Sequence, residues 1–504
     1  MERPKKNEKE LAMRTLTHPE QATVKIPTGA EDPFPSAKAR ASAVGSTVSE
    51  AVPPTLADPD RSVQPRLSVP DRQQLLSATI IDDLLESDHP ARAVWSYVQE
   101  LDLASLYDHI RARGSVAGRP AIDPRVLVAL WLYATLSGFT SARELADLCL
   151  HHDAFRWLAG GVSVNYHTLS DFRTDNPEFL EQLLEHSVEV LRQQGLIDLD
   201  RVAQDGMRVR ASAGAASFRR RETLEKLLRE AQAEARRLRR QLAAKAAKDA
   251  VVPVPKEVAT GQGSAQEPIS SPRQQAAQMR HAEDQVERIE QALERMPERE
   301  AKIDPDGGKE ARVSTTDAQA TIMKMPDGGF RPAYNVQYST ACDGQVIVGV
   351  DVVTTGSDQG QLPPMLDQIE ARFGQRPKEA LVDGGFANLK DIESVQGGKK
   401  KCTVYAPVSK PKKAGVDRYE PKATDTKIAA EWRRRMGTQE AKEIYKERAA
   451  TAECVNAQAR NRGLNQFMVR GVEKVKAVAS WFAIAHNMAR SFALHPQLAQ
   501  TGSS

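Results

Sequence analysis

Two short apolar runs in this chain each lead into an aspartate followed by glycine. They are Val202-Ala203-Gln204-Asp205-Gly206 and Leu381-Val382-Asp383-Gly384-Gly385. A third segment, Tyr445 to Arg460, is a polar, Arg-rich run of helical character that carries Glu453. Strand ends in α/β sheets are where sites collect. The fold must therefore be one that can bring two strand ends and one helix face together.

The order of elements satisfies that demand. Val202-Ala203-Gln204 reads as a first strand, and Tyr334-Asn335-Val336-Gln337-Tyr338 alternates as a second. Cys342-Asp343-Gly344 supplies a turn, and Gln345 to Val353 forms the partner strand. A helix over Gln359 to Phe373 precedes a strand that ends at Asp383. A short helix from Asn388 leads to a strand over Cys402 to Val408. A long polar helix spans Lys427 to Gly463, and an amphipathic helix spans Val475 to Met488. The order β-β-β-α-β-α-β-α is that of an α/β ribonuclease-H-like domain with a mixed five-stranded sheet. The three acids fall at the end of the first strand, after the fourth, and on the helix after the fifth.

A chain of 504 residues calls for several units. Residues 1–66, rich in Pro, Ala, Ser and charge, are expected to be a disordered arm. Residues 67–198 carry helical periodicity and are expected to form an all-α DNA-binding domain. Within it Arg143, Arg156 and Arg173 are candidate phosphate contacts, weighed evenly against a scaffold with solvated arginines. Leu224, Leu228, Ala231, Ala235, Leu238 and Leu242 form one heptad seam. Met279, Ala282, Val286, Ile289, Leu293 and Met296 form another. They predict an antiparallel helical-hairpin insertion over 215–309. The catalytic domain is then discontinuous, 199–214 and 310–495, and 496–504 is a flexible tail.

Lys and Arg number 70 against 67 Asp and Glu, so net charge says little about partners, whereas clusters such as Arg236 to Arg240 suit a polyanion. The four cysteines form no CxxC pair, which argues against a disulfide frame and points to a reducing compartment. The charged start is not expected to act as a secretory signal, and no apolar run is long enough to span a bilayer.

Three carboxylates delivered in this way suit two Mg²⁺ ions and phosphodiester chemistry. Asp205, on the central strand, is placed to bridge both ions, with Asp383 and Glu453 each completing one. Taken singly each acid is ordinary, since Asp-Gly is a common turn pair and a lone Glu on a charged helix is usually solvated. On a regular helix Tyr445, Arg448, Glu453, Asn456 and Arg460 share an arc of roughly 140°. Tyr445, Arg448 and Arg460 are accordingly candidate DNA contacts beside the acids, as is Arg208 after Asp205.

Several motifs carry a family resemblance. Asp88-His89-Pro90-Ala91-Arg92, Gly118 to Pro124, Gly138 to Leu145, Phe155 to Leu158 and Thr168 to Arg173 lie in the helical part. Asp205 to Ala211, Gly329 to Gln337 and Leu381 to Phe386 lie in the catalytic part. Together they resemble a DDE transposase of the IS1182 type, in the IS5/IS4 group of bacterial insertion sequences. Tyr445, Arg448 and Glu453 fill the first three places of that group's Tyr–Arg–Glu–Lys signature, with Arg460 where Lys is usual. The Arg-to-Glu gap is one residue longer than the commonest form, which leaves Glu447 as a rival third acid. Gly463 to Gly471 and Ala485-His486-Asn487-Met488 follow as the group's pattern predicts and favour Glu453.

The resemblance implies an enzyme that binds the terminal inverted repeats of its element and pairs two ends as a homodimer. It implies Mg²⁺-dependent cleavage (Mn²⁺ as substitute) and attack of the freed 3′-hydroxyl on target DNA. It implies a bacterial, nucleoid-associated cytoplasmic protein with no membrane partner. The alternatives are a ribonuclease-H-like DNA nuclease without strand transfer and a catalytically inactive DNA-binding protein. A third is a protein whose hairpin serves mainly oligomerisation.

Overall fold

The computed structural model describes residues 66–73, 75–76, 79–114, 119–251, 271–302, 310–398, 400–411, 415 and 417–496. All but one residue of the expected arm, and all but one of the expected tail, lie outside the described residues. So do Gly118 and most of the Pro/Gly/Ser-rich connection inside the hairpin.

Seven helices come first. They are α1 Pro90–Gln99, α2 Ala104–Asp108, α3 Pro124–Leu136, α4 Ala142–His151, α5 Asp153–Ala159, α6 Tyr166–Thr174 and α7 Pro177–Gln193. Their starts are written in the chain. Asp123 caps α3 ahead of Pro124, and Ser141 accepts the amide of Glu144 to cap α4. Gly138, in left-handed backbone, ends the α3 segment.

A six-stranded mixed sheet follows. Its strands are β1 Arg201–Arg210, β2 Thr321–Lys324, β3 Phe330–Ala341, β4 Ile347–Val353, β5 Glu379–Val382 and β6 Thr403–Tyr405. The order is β4-β3-β1-β5-β6, with β2 added to the start of β3. β3 is antiparallel to β1 and β4, whereas β1, β5 and β6 are parallel. The short strand β2 makes six strands where five were expected. Its alternation is only four residues long, too short to stand out in the sequence.

Between β1 and β2 stand α8 Arg221–Val251 and α9 Pro272–Ala301. Arg221 pairs with Glu300, Gln232 with Glu290 and Arg239 with Glu283, so the two helices run in opposite directions. Leu224, Ala231, Ile289, Ala292 and Met296 are buried between them. A two-residue ribbon, Phe218–Arg219 with Val313–Ser314, closes the base.

The remaining helices are α10 Leu362–Phe373, α11 Leu389–Gly397, α12 Lys427–Gly437, α13 Gln439–Arg448, α14 Cys454–Asn461 and α15 Val472–Leu494. The single helix expected over Lys427 to Gly463 is therefore broken. Gly437 and Thr438 end one piece and cap the next, and a π-helical turn, Ala449–Glu453, separates α13 from α14.

α15 is buried almost all round rather than along one stripe, as befits a helix at the centre of a core. One apolar core joins α1–α7 and α15 to the face of the sheet that carries Met207, Val209, Tyr334, Val336 and Tyr338. A second core packs α10, α11 and α12 on the opposite face. His486-Asn487 has a structural reason to follow the apolar run of α15. Asn487 accepts the amide of Ile347 and donates to its carbonyl, both at 2.8 Å, beside a bulge in β4. His486 contacts the Gln345 carbonyl, and burial pushes its pKa down to about 3, so the ring is neutral. Among the described residues all four cysteines are free, and no helix is long and apolar enough to cross a membrane.

Candidate active site

Sheet register brings Asp205 and Asp383 together. The parallel pairing of β1 with β5 ends at Gln204 opposite Val382, so the next residue on each chain is an aspartate. β1 does not stop there, contrary to the expectation of a strand end at Asp205. It continues to Arg210 because β3 pairs along its whole length on the other side. Asp205 thus lies in mid-strand, at the point where the sheet narrows by one neighbour.

Asp383 closes a turn by accepting the amide of Gly385 on Oδ1 at 2.7 Å. Asp205 accepts the amide of Gly206 on Oδ1 at 2.9 Å. Its Oδ2 accepts Asn456 Nδ2 at 3.1 Å and faces Arg448 Nη2 at 3.3 Å. Burial pushes the Asp205 carboxyl up to about 6. The Arg448 guanidinium opposes that rise, and the charges of Asp383 and Asp358 reinforce it.

Glu453 joins through Arg448, whose Nη1 donates to Glu453 Oε1 at 2.6 Å. One buried guanidinium therefore touches both Asp205 and Glu453. Glu453 comes five positions after Arg448, which on a regular α-helix would set the two about 140° apart, at opposite ends of the shared arc. The π-helical turn Ala449–Glu453 absorbs the extra residue, since its hydrogen bonds reach one residue further. The long Arg-to-Glu gap seen in the sequence thus has a physical counterpart. Tyr445 donates to the Val382 carbonyl at 3.2 Å, which anchors α13 beside Asp383. The rival acid Glu447 points elsewhere: it pairs with Arg201 at 2.7 Å, at the start of β1. That is four residues, about 13 Å along an extended strand, from Asp205.

The polar side of β3 was unexpected. An alternating strand usually shows its polar face to water, yet Asn335, Gln337 and Ser339 are fully buried. Asn335 and Gln337 face the loop after β4, where Asp358 accepts Asn335 Nδ2 at 2.7 Å and Gln337 Nε2 at 2.8 Å. Asp358 carries no spacing signal of its own in the sequence. The available hints were the amides on an otherwise apolar strand and Gly206. A Cβ at Gly206 would collide with Asp358 Oδ1 and crowd Gln337 and Asn335.

The expected DNA contacts divide sharply. Arg143 is exposed over the Tyr166 ring, and Arg460 is exposed. Arg156 is partly exposed and paired with Asp153 at 2.9 Å. Arg173 must be corrected. It is 6% exposed, stacks on Trp131 and donates to the Thr140 carbonyl at 2.6 Å. Burial pushes its pKa down to about 9. No phosphate reaches it in this fold. Arg208 and Arg448 are likewise engaged within the protein, Arg208 donating to the Gly356 carbonyl at 2.6 Å. Arg143→Ala should therefore lower the slope of log affinity for DNA against log salt by about 1, while Arg173→Met leaves it unchanged. Binding titrations at several salt concentrations check both.

The donors at the centre are hard carboxylate oxygens, the type that Mg²⁺ takes. Among the described residues no three His, Cys, Asp or Glu side chains stand close enough together to hold a metal ion between them.

Comparison with known proteins adds to this geometry. Residues 79–175, spanning α1 to α6, match a transposase domain family. Residues 398–492, from β6 to α15, match a transposase DDE domain family. Glu453 lies inside the second match, whereas Asp205 and Asp383 lie between the two. No curated protein and no solved structure matches the chain. The two domain matches support a DDE transposase, a DNA-processing enzyme of transposition and recombination, with DNA as its partner.

Proposed function

We propose that this protein is a DDE transposase of the IS1182 type whose catalytic domain is ribonuclease-H-like. It binds the terminal inverted repeats of its element, cleaves DNA with Mg²⁺, and joins the freed 3′-hydroxyl to target DNA. The observation that carries this reading is the register of β1 and β5. It sets Asp205 and Asp383 side by side, with Glu453 tied to Asp205 through Arg448. The sheet order, with three antiparallel strands followed by two parallel ones, supports the ribonuclease-H-like assignment.

Asp205, Asp383 and Glu453 would hold the ions. Divalent ions held there would activate the attacking oxygen and stabilise the leaving oxygen of a phosphodiester. The chain's own residues do the rest. Arg448 offsets the repulsion between Asp205 and Glu453, one arm of its fork on each carboxylate. Asn456 orients the Asp205 carboxylate, and Tyr445 holds α13 against the end of β5. Arg143 and Arg156, on α4 and α5, contact phosphates of the inverted repeat, and two copies pair the two ends.

A strand-transfer assay with pre-cleaved repeat ends tests the full reading. Joined products are expected. Cutting of intact ends without any joining would make the protein a nuclease instead.

A further inference from the structure

We infer that Asp358 is a fourth carboxylate of this centre, a positioning residue whose charge sets how tightly the Asp205–Asp383 pair holds divalent cations. The inference rests on the function proposed above and deepens it.

Asp358 lies on the loop between β4 and α10 and is only 9% exposed. Its two oxygens are treated differently. Oδ1 is clamped by the amides of Asn335 and Gln337. Oδ2 makes only a long ion pair, 3.8 Å, with Arg208 Nη2, beyond hydrogen-bond distance. That oxygen faces the acids. A Cβ placed on Gly385 would lie 3.2 Å from Asp358 Oδ2 and 2.9 Å from Asp383 Oδ1, so the two carboxylates border the same small space. On the other flank Asp358 fills the room left open at Gly206, the residue after Asp205.

Two further features mark the spot as built for a polar guest. Asn335 Oδ1 is buried without a hydrogen-bond partner and would lie 2.9 Å from a Cβ on Gly206. Asn456 Oδ1, on the side chain that orients Asp205, is also buried and unpartnered. Buried polar atoms are ordinarily satisfied, so such groups beside a carboxylate cluster point to a missing partner. The route from Asp358 to the acids is also explicit. Gln337 Oε1 accepts Gln204 Nε2 at 3.1 Å, and Gln204 precedes Asp205 on β1. Displacing Asp358 moves the amides that fix the strand carrying Asp205, and neutralising it weakens the field that draws a cation there.

The test uses full-length protein and Mn²⁺ as the probe, by isothermal titration calorimetry without DNA. Asp358→Asn keeps an oxygen for both amide donors and removes the charge. Its Mn²⁺ dissociation constant should rise about tenfold, as expected for losing a unit charge near a partly buried divalent ion, with an unchanged melting curve. Gly206→Ala, which displaces the carboxylate while keeping its charge, should weaken Mn²⁺ binding as well. Binding by Asp358→Asn equal to that of the unsubstituted protein, or no Mn²⁺ binding by the unsubstituted protein, overturns the inference. Failure of the unsubstituted protein to cleave repeat-end DNA would instead overturn the function proposed above.

Discussion

Replacing Arg448 with alanine should cost about 3–5 kcal/mol of stability at neutral pH, as breaking a buried ion pair does when one charge is left behind. The stranded charge is Asp205, whose side chain is 16% exposed and keeps only the Gly206 amide and Asn456 as donors. Glu453 contributes little to the loss, because its side chain is 56% exposed and solvated. Asp205 can escape by taking a proton, so the deficit of Arg448→Ala should shrink as pH falls toward 5. Urea unfolding at pH 7.5 and pH 5 checks both statements. Equal losses at the two pH values would show that the guanidinium acts through packing and not through the charge of Asp205.

Asp205→Asn should do the opposite at neutral pH. Burial first, then the nearby charges of Asp383 and Asp358, raise the carboxyl from 3.8 to about 6 despite Arg448. An acid with a raised folded-state pKa binds its proton more tightly folded than unfolded. Stability conferred by that proton is present below the unfolded value and is lost as pH rises from about 4 to 6. A rise of this size is worth roughly 3 kcal/mol, an upper bound on what the neutral amide restores at pH 7.5. The substituted protein should be the more stable at neutral pH, and the difference should vanish near pH 4. Strain of this kind at a site is expected where function competes with stability.

These two substitutions show why the centre was partly legible in the sequence. Asp205 and Asp383 each follow a run that reads as a strand, and parallel register then does the rest. On a regular helix Glu453 and Arg448 stand at opposite ends of the arc that the site residues share. Only the π-helical turn restores the shared direction, and no local propensity announces it. Asp358 was invisible because loops carry no periodicity. Its trace lay instead in Asn335 and Gln337, the polar positions of the alternating strand. Arg173 misled for the converse reason, since charge alone says nothing about burial. Its position four residues after Leu169, on the apolar stripe of α6, was the available warning.

The architecture followed the same division. Heptad seams marked the hairpin, because a seam is a local device. The role of α15 as the common core of the helices and the sheet depends on long-range packing that the pattern of one helix does not contain. Gly463 illustrates the point. It adopts left-handed backbone and presses against Gly138, where a Cβ would lie 2.7 Å from the Gly138 carbonyl oxygen. Two glycines more than three hundred residues apart thus join the α3–α4 turn to the end of α14.

The central claim is that Asp205, Asp383 and Glu453 form one cleavage centre. It is tested most directly on labelled duplex DNA carrying the element's terminal inverted repeat, incubated with Mg²⁺. Asp205→Ala, Asp383→Ala and Glu453→Gln should bind this DNA normally and cleave it about 10³-fold more slowly, the effect of losing several kcal/mol of metal-borne stabilisation. Glu447→Gln, altered at the far end of β1, should cleave as the unsubstituted protein does. Undiminished cleavage by any of the three acid variants, or its loss in Glu447→Gln alone, would contradict the account.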